Sequence, residues 1–353
     1  MLLLGGLALS LSGCATVGWY GQAVSGQLDM MQRREDIADL LTDPNTDPEL
    51  RRQLALVLEA RAFAVDSLGL PDSRSFLRYA DLEREAAVWN VIAAPRDSVS
   101  ARTWCYPIVG CMAYRGFFRR ERAQALADEL AEAGYDVVVW PAVAYSTLGW
   151  FADPVLNTML RWDDASLAGF IFHELAHEKL FIRDDTTFNE SYATAVERAG
   201  LRQWLNQRDE LDQLERWQAD RAVRQDLTAL MLDAREQLRE IYRTLADDTE
   251  GREQARAEAF EALQAAIAER AAAPDGSAIR GWVGRDIHNA HLVLFASYES
   301  GVAAFKQLFA DCHEEWSCFH RRAAEIASEN AVDRRRFLET KSIDSGQQPA
   351  RKD

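Results

Sequence analysis

Residues 173–177 read His-Glu-Leu-Ala-His. Side chains four apart on a helix project from one face, one turn above the other. The imidazoles of His173 and His177 can therefore converge on a single ion, a geometry that suits Zn²⁺. Glu174 beside the first histidine can sit over the metal's water as a general base. Three protein ligands with the fourth position open mark a catalytic rather than a structural zinc. The chain offers two carboxylates as the third donor: Glu190, thirteen positions beyond His177, and Glu197, twenty beyond it.

These residues need helices to present them. Asp163, Asp164 and Ser166 are N-cap candidates for a motif helix of about fifteen residues. Gly169-Phe170-Ile171-Phe172 ahead of the motif and Leu175-Ala176 within it carry no charge, so the helix is buried around its histidines. Buried imidazoles require partners, and a metal provides them. A second apolar run, Phe188 to Glu197, places Glu190, Ala193 and Glu197 on one helix face.

Upstream, Tyr20 to about Leu41 reads as one helix, stopped by Asp43-Pro44, and Glu49 to Leu68 as another. Val88 to Ala93, Tyr106 to Tyr114, Asp136 to Trp140 and Ala142 to Leu148 read as strands. Arg119–Ala133 is an amphipathic helix, with Gly134 just past its end. A small sheet ahead of the motif helix can align a peptide by main-chain pairing, with Tyr145 to Gly149 as the substrate-side rim. From Tyr192 to about Ala272 the chain is almost continuous helix, with a break expected at Gly251. Its charged faces read as a solvated hairpin arm without chemistry of its own. Pro274-Asp275-Gly276 is a turn, two or three helices follow to about Leu338, and Lys341–Asp353 is a polar, disordered tail. Attack on a carbonyl needs an oxyanion donor. Tyr298 is the preferred candidate, with His288, His291 and Tyr192 as alternatives, while His313 and His320 read as surface residues.

The apolar run Leu2 to Leu11 is too short to span a bilayer and ends in Leu11-Ser12-Gly13-Cys14. Small residues before a cysteine resemble the bacterial lipobox, which implies lipidation of Cys14 and stable anchoring by several acyl chains. Four cysteines remain, Cys105, Cys111, Cys312 and Cys318. An even number in an oxidising compartment points to disulfides, in any of three connectivities. A formal charge of −16 argues against nucleic acid and against a basic membrane-binding face. With 353 residues, 48% of them apolar, the chain can bury a substantial core.

The run Phe188-Asn189-Glu190-Ser191-Tyr192-Ala193-Thr194-Ala195-Val196-Glu197 resembles the Asn-Glu-x-Phe-Ala-x-x-Val-Glu helix of the aminopeptidase N family. That resemblance assigns Glu190 as zinc ligand, with Glu197 and Asn189 supporting the ligands from behind. The connection from Glu178 to Asn189 is shorter than in that family, and the family's Gly-x-Met-x-Asn motif for the substrate amine is absent. Several segments resemble the bacterial "putative aminopeptidase" lipoproteins of the gluzincin type. They are the lipobox, Gln22 to Leu28, Val88-Trp89-Asn90-Val91, Trp104 to Pro107 with Gly110-Cys111 and Tyr114-Arg115-Gly116, Ala144 to Phe151, and the zinc motif with Phe188-Asn189-Glu190-Ser191.

The expectation is an α+β, mainly α chain with a zincin-like domain. Residues 1–13 are a lipoprotein signal peptide. Residues 14–340 are a single metallopeptidase domain: sheet and active-site helices at about 85–200, helical arm to about 272, C-terminal helices at about 280–338. It is expected to be a lipid-anchored zinc peptidase, aminopeptidase-like, on the periplasmic side of the outer membrane. One Zn²⁺ would sit on His173, His177 and Glu190, with Glu174 and Tyr298 catalytic and a peptide as substrate. The rival reading is an envelope lipoprotein that binds partners through its arm; a zinc endopeptidase is a further alternative.

Overall fold

Leu-, Ala- and Glu-rich runs form helices here and β-branched runs form short strands, so the chain is mainly helical with small sheets. The computed structural model describes residues 18–106, 110–144, 152–295 and 301–339. Cys14 and the leader, the Tyr145–Gly149 rim, Tyr298 and the Lys341–Asp353 tail lie outside them.

The first helix is shorter than its sequence suggests. Residues 18–32 are helical (α1). The charged run Arg34–Asp36 then becomes a strand (β1), and α2 (Ile37–Thr42) follows. Arg34 to Asp36 have no apolar stripe to bury, and they pair antiparallel with β2 (Arg78–Ala80) instead. Helix α3 (Pro48–Asp66) starts where Asp47 accepts from the backbone of Glu49 and Leu50.

Strand β3 (Val88–Pro95) is the centre of a three-stranded antiparallel sheet. The expected strand Tyr106 to Tyr114 is instead a tight hairpin, β4 (Trp104–Tyr106) and β5 (Gly110–Met112), with Cys105 opposite Cys111 and joined to it. Strand β6 (Arg115–Phe117) flanks β3 on one side. After α4 (Arg120–Glu132), β7 (Tyr135–Ala142) flanks it on the other. The turn between them is Gly134, at φ +85°. Side chains alternate across this sheet. Val91, Ala93, Val137 and Val139 pack against Ala123, Ala127 and Leu130 of α4. Ile92, Ala94, Val138 and Trp140 face Ala290 and Val293. Ala142 closes β7, and residues 143–144 do not extend the expected fourth strand. Strand β8 (Val155–Leu156) pairs in parallel with β2, a contact too short to read from periodicity.

Helix α5 (Asp164–Lys179) carries the motif, and α6 (Thr186–Gln207) follows it. They pack on each other and on α3, while the three-stranded sheet packs on α4 and α9 (Asn289–Phe295). The motif helix is therefore set mainly by helices rather than by the sheet. Its core joins Leu54, Val57, Leu68, Ile171, Phe172, Phe188, Leu201 and Phe305.

The long helical run breaks twice, and not at Gly251. It stops after α6, where Asp209 is left-handed at φ 57°, and again between α7 (Leu211–Thr244) and α8 (Thr249–Ala272). Gly251 lies in the first turn of α8, its N–H held by Asp248. The α7–α8 hairpin keeps its charged faces in solvent, but its inner face is packed. Leu227, Met231 and Leu238 meet Phe260, Leu263 and Ile267, and Ile279, Ile287 and Leu292 cover them. Buried Asn289 fastens this body to the sheet. It accepts from Tyr242 Oη at 2.9 Å, and its Nδ2 donates to Pro95 and Arg96 carbonyls at 2.9 and 3.0 Å. Four short helices close the described chain rather than two or three: α9, then α10 (Val302–Asp311), α11 (Trp316–Ala327) and α12 (Ala331–Leu338). A second local disulfide, Cys312–Cys318, joins the end of α10 to α11.

Candidate metal centre

Helix α5 begins where the Asp163 carboxylate accepts from Ser166 N–H at 2.9 Å. Leu167, Ile171, Leu175 and Ala176 bury one side of it. Small residues let α6 come close: a Cβ on Gly169 would lie 3.4 Å from Glu197 Cγ, and one on Gly200 would lie 3.3 Å from the Phe172 ring. The two helices meet along the line that holds His173, Glu190 and Glu197.

The connection between them is fixed by Asn189. Its Oδ1 accepts from Ile182 N–H and its Nδ2 donates to Ile182 carbonyl, both at 2.8 Å. Asp185 caps α6 by accepting from Phe188 N–H, and is itself paired with Arg334 at 2.7 Å. The short link thus turns directly into α6 and brings Glu190 under the histidines.

His173 Nε2 and His177 Nε2 are 3.1 Å apart. Glu190 Oε2 is 3.4 Å from the first, and Oε1 is 3.6 Å from the second. Donors bound tetrahedrally at the usual Zn–N and Zn–O lengths stand roughly 3.4 Å from one another. One ligand atom from each of the three residues lies within 4.8 Å of the others, so the group could hold a metal ion. Among the described residues, this is the one group of three or more His, Cys, Asp or Glu side chains that could hold a metal ion.

Hydrogen bonding orients the His173 ring. A carboxylate only accepts, so the 3.2 Å contact from His173 Nδ1 to Glu197 Oε2 is an Nδ1–H donation, and Nε2 is the nitrogen that could serve a metal. His177 Nδ1 is buried without a hydrogen-bond partner among the described residues. Burial opposes charge on His173, but Glu190 and Glu197 outweigh it and raise its pKa. Burial, then the charge of His173, lowers that of His177. Burial would raise the Glu190 carboxyl, yet hydrogen bonding and attraction from His173 leave it below its ordinary value. The charges of the three groups are therefore coupled through His173. Glu174 sits on the same helix between the two histidines, partly buried.

The other aromatic and histidine candidates have separate surroundings. Tyr192 is fully buried, its Oη 2.8 Å from His320 Nδ1. His320 Nε2 must donate to the Leu68 carbonyl at 2.8 Å, so Nδ1 accepts and Tyr192 is the donor. That commitment removes Tyr192 as an oxyanion donor. His320 is not a surface residue, because Tyr192, Trp316 and Phe319 enclose it and leave it 8% exposed, whereas His313 is exposed. His288 and His291 line a cavity of about 300 Å³ with Trp89, Arg120 and Gln124, and do not join the His173 group.

Two neighbours of the site escaped the sequence reading. Phe181, 49% exposed, stands beside the metal triangle with its ring 6.2 Å from that of His177. An aromatic just past the motif helix was its only signal. Arg221 of α7 approaches Glu197, its Nη1 3.7 Å from Oε1. Nothing in the spacing of α7 points to that contact, which depends on how the hairpin folds back.

Residues 18–338 match the model of a family described as "Putative aminopeptidase". Neither the curated proteins nor the solved structures give a match.

Proposed function

The chain belongs to the "putative aminopeptidase" family, and on that premise we propose that it is a zinc-dependent peptidase. The observation that carries this reading is the converging triangle of His173 Nε2, His177 Nε2 and a Glu190 oxygen. Two imidazoles and one carboxylate with an open position form a donor set of catalytic zinc. When bound there, zinc supplies Lewis acidity toward a peptide carbonyl and toward water.

This chain's residues do the rest. Glu174 takes the proton of the attacking water and hands it to the leaving amine. Glu197 holds His173 in the tautomer that frees Nε2. Phe181 offers an apolar ring to a substrate side chain beside the ligands. Tyr298 is the proposed oxyanion donor. The lipobox supports lipidation of Cys14, and with it a place on the periplasmic face of the outer membrane.

Metal analysis of the purified protein, with hydrolysis of free-amine and N-blocked fluorogenic peptides by the native chain and Glu174→Gln, tests the reading. One zinc per chain, cleavage of free-amine peptides and loss of turnover in the variant are expected. Equal turnover by the two proteins would sink it, and would leave an envelope binding protein as the better account.

A further inference from the structure

Glu197 faces two partners at once. Oε2 accepts from His173 Nδ1 at 3.2 Å, and Oε1 lies 3.7 Å from Arg221 Nη1. Arg221 comes from α7, a helix separate from the two that carry the ligands. Its guanidinium lies over the Trp217 ring, 5.4 Å from the centroid, and Trp217 packs against the main core. Both members of the Arg221–Glu197 pair are largely withdrawn from water, with side chains 22% and 20% exposed. Attraction between them is therefore less screened than at an open surface.

A carboxylate turns easily about its last torsion. One hydrogen bond from His173 leaves that rotation soft, and a cation on the opposite oxygen restrains it. We propose that Arg221 is a positioning residue for the metal centre. It orients Glu197 so that His173 keeps Nδ1–H pointed at the carboxylate and Nε2 aimed at the ion. Trp217 holds the guanidinium in place, so the α7–α8 hairpin builds the site's second layer. The proposal rests on the metal-site reading given above.

The test titrates Zn²⁺ against a chromophoric chelator in the native protein, Arg221→Met, Arg221→Lys, Glu197→Gln and the Arg221→Met/Glu197→Gln double variant. Methionine keeps an aliphatic stem on Trp217, and circular dichroism checks the fold. Arg221→Met is expected to weaken Zn²⁺ binding on the order of 10-fold, the range for removing an outer partner of a ligand. It should also shift the visible spectrum of the Co²⁺-substituted protein. Lysine should restore part of the affinity, and the double variant should be no weaker than Glu197→Gln alone. Affinity of Arg221→Met within about twofold of native, or losses that multiply in the double variant, overturns the proposal. Loss of Zn²⁺ in Glu190→Ala beside unaltered binding in Arg221→Met removes this inference alone. A native chain that binds no Zn²⁺ removes the metal-site reading with it.

Discussion

Asn189 closes a two-point grip on the backbone of Ile182, accepting from its N–H and donating to its carbonyl, each at 2.8 Å. At 2% exposure the amide has no water to fall back on. The grip turns the short α5–α6 link from within the first turn of α6, one residue ahead of Glu190. Replacing Asn189 by Ala strands both Ile182 groups, at a cost of about 2–3 kcal/mol. Urea unfolding of metal-free native and Asn189→Ala proteins reads that loss. Zn²⁺ affinity should fall in parallel, because Glu190 loses its anchor. A variant with unchanged midpoint and affinity would show that the link holds itself without the amide.

Glu190 and Glu197 are separable by their contacts. Glu190 reaches both Nε2 atoms, and Glu197 only the Nδ1 of His173. Glu190→Ala removes one of three donors and is expected to abolish stoichiometric zinc. Glu197→Ala should retain one zinc with affinity lowered on the order of 10- to 100-fold. Isothermal titration with Zn²⁺ distinguishes them, and the reverse pattern would exchange their roles.

The motif helix, its Asp163 cap and the neighbouring α6 face were legible because each depends on residues within a few turns. The sheet's strands β3 and β7 were legible for the same reason, through β-branched alternation. What escaped was non-local. Arg34–Asp36 leaves its helix to pair with β2, forty-odd residues away. His320 looked like a surface residue in sequence, yet its environment comes from Leu68, in the turn after α3, and from Tyr192 on α6. Arg221 sits on a charged helix face that resembles any solvated one, and the packing of α7 on α5 and α6 brings it to Glu197.

Asp136 is the charged knot between hairpin and sheet. Its Oδ2 accepts from Arg256 Nη2 at 2.6 Å and from Asn289 N–H at 3.1 Å, and the residue is buried. Arg256→Met leaves that carboxylate without its cation and is expected to cost about 3–5 kcal/mol. Asp136→Asn combined with Arg256→Met removes both charges and should recover part of the loss. Denaturant unfolding of the three proteins checks the order. Equal stability of the single and double variants would mean that the stranded charge is not the cause.

His320 makes stability depend on pH in a set direction. Burial lowers its pKa to about 4 from an ordinary 6.5, with Lys179 adding repulsion and the Leu68 carbonyl opposing. The folded chain thus holds a neutral imidazole where the unfolded chain takes a proton. Its contribution is complete above pH 6.5 and fades as pH falls toward 4. Protonation would also strip Nδ1 of the lone pair that receives the Tyr192 hydroxyl. Between about pH 7.5 and 4.5 the native protein should lose on the order of 2–3 kcal/mol more than His320→Gln, which cannot titrate. Unfolding free energies of both metal-free proteins at the two pH values give the difference directly, since the other titrating groups are shared. Parallel losses in native and variant would place the pH sensitivity elsewhere in the molecule.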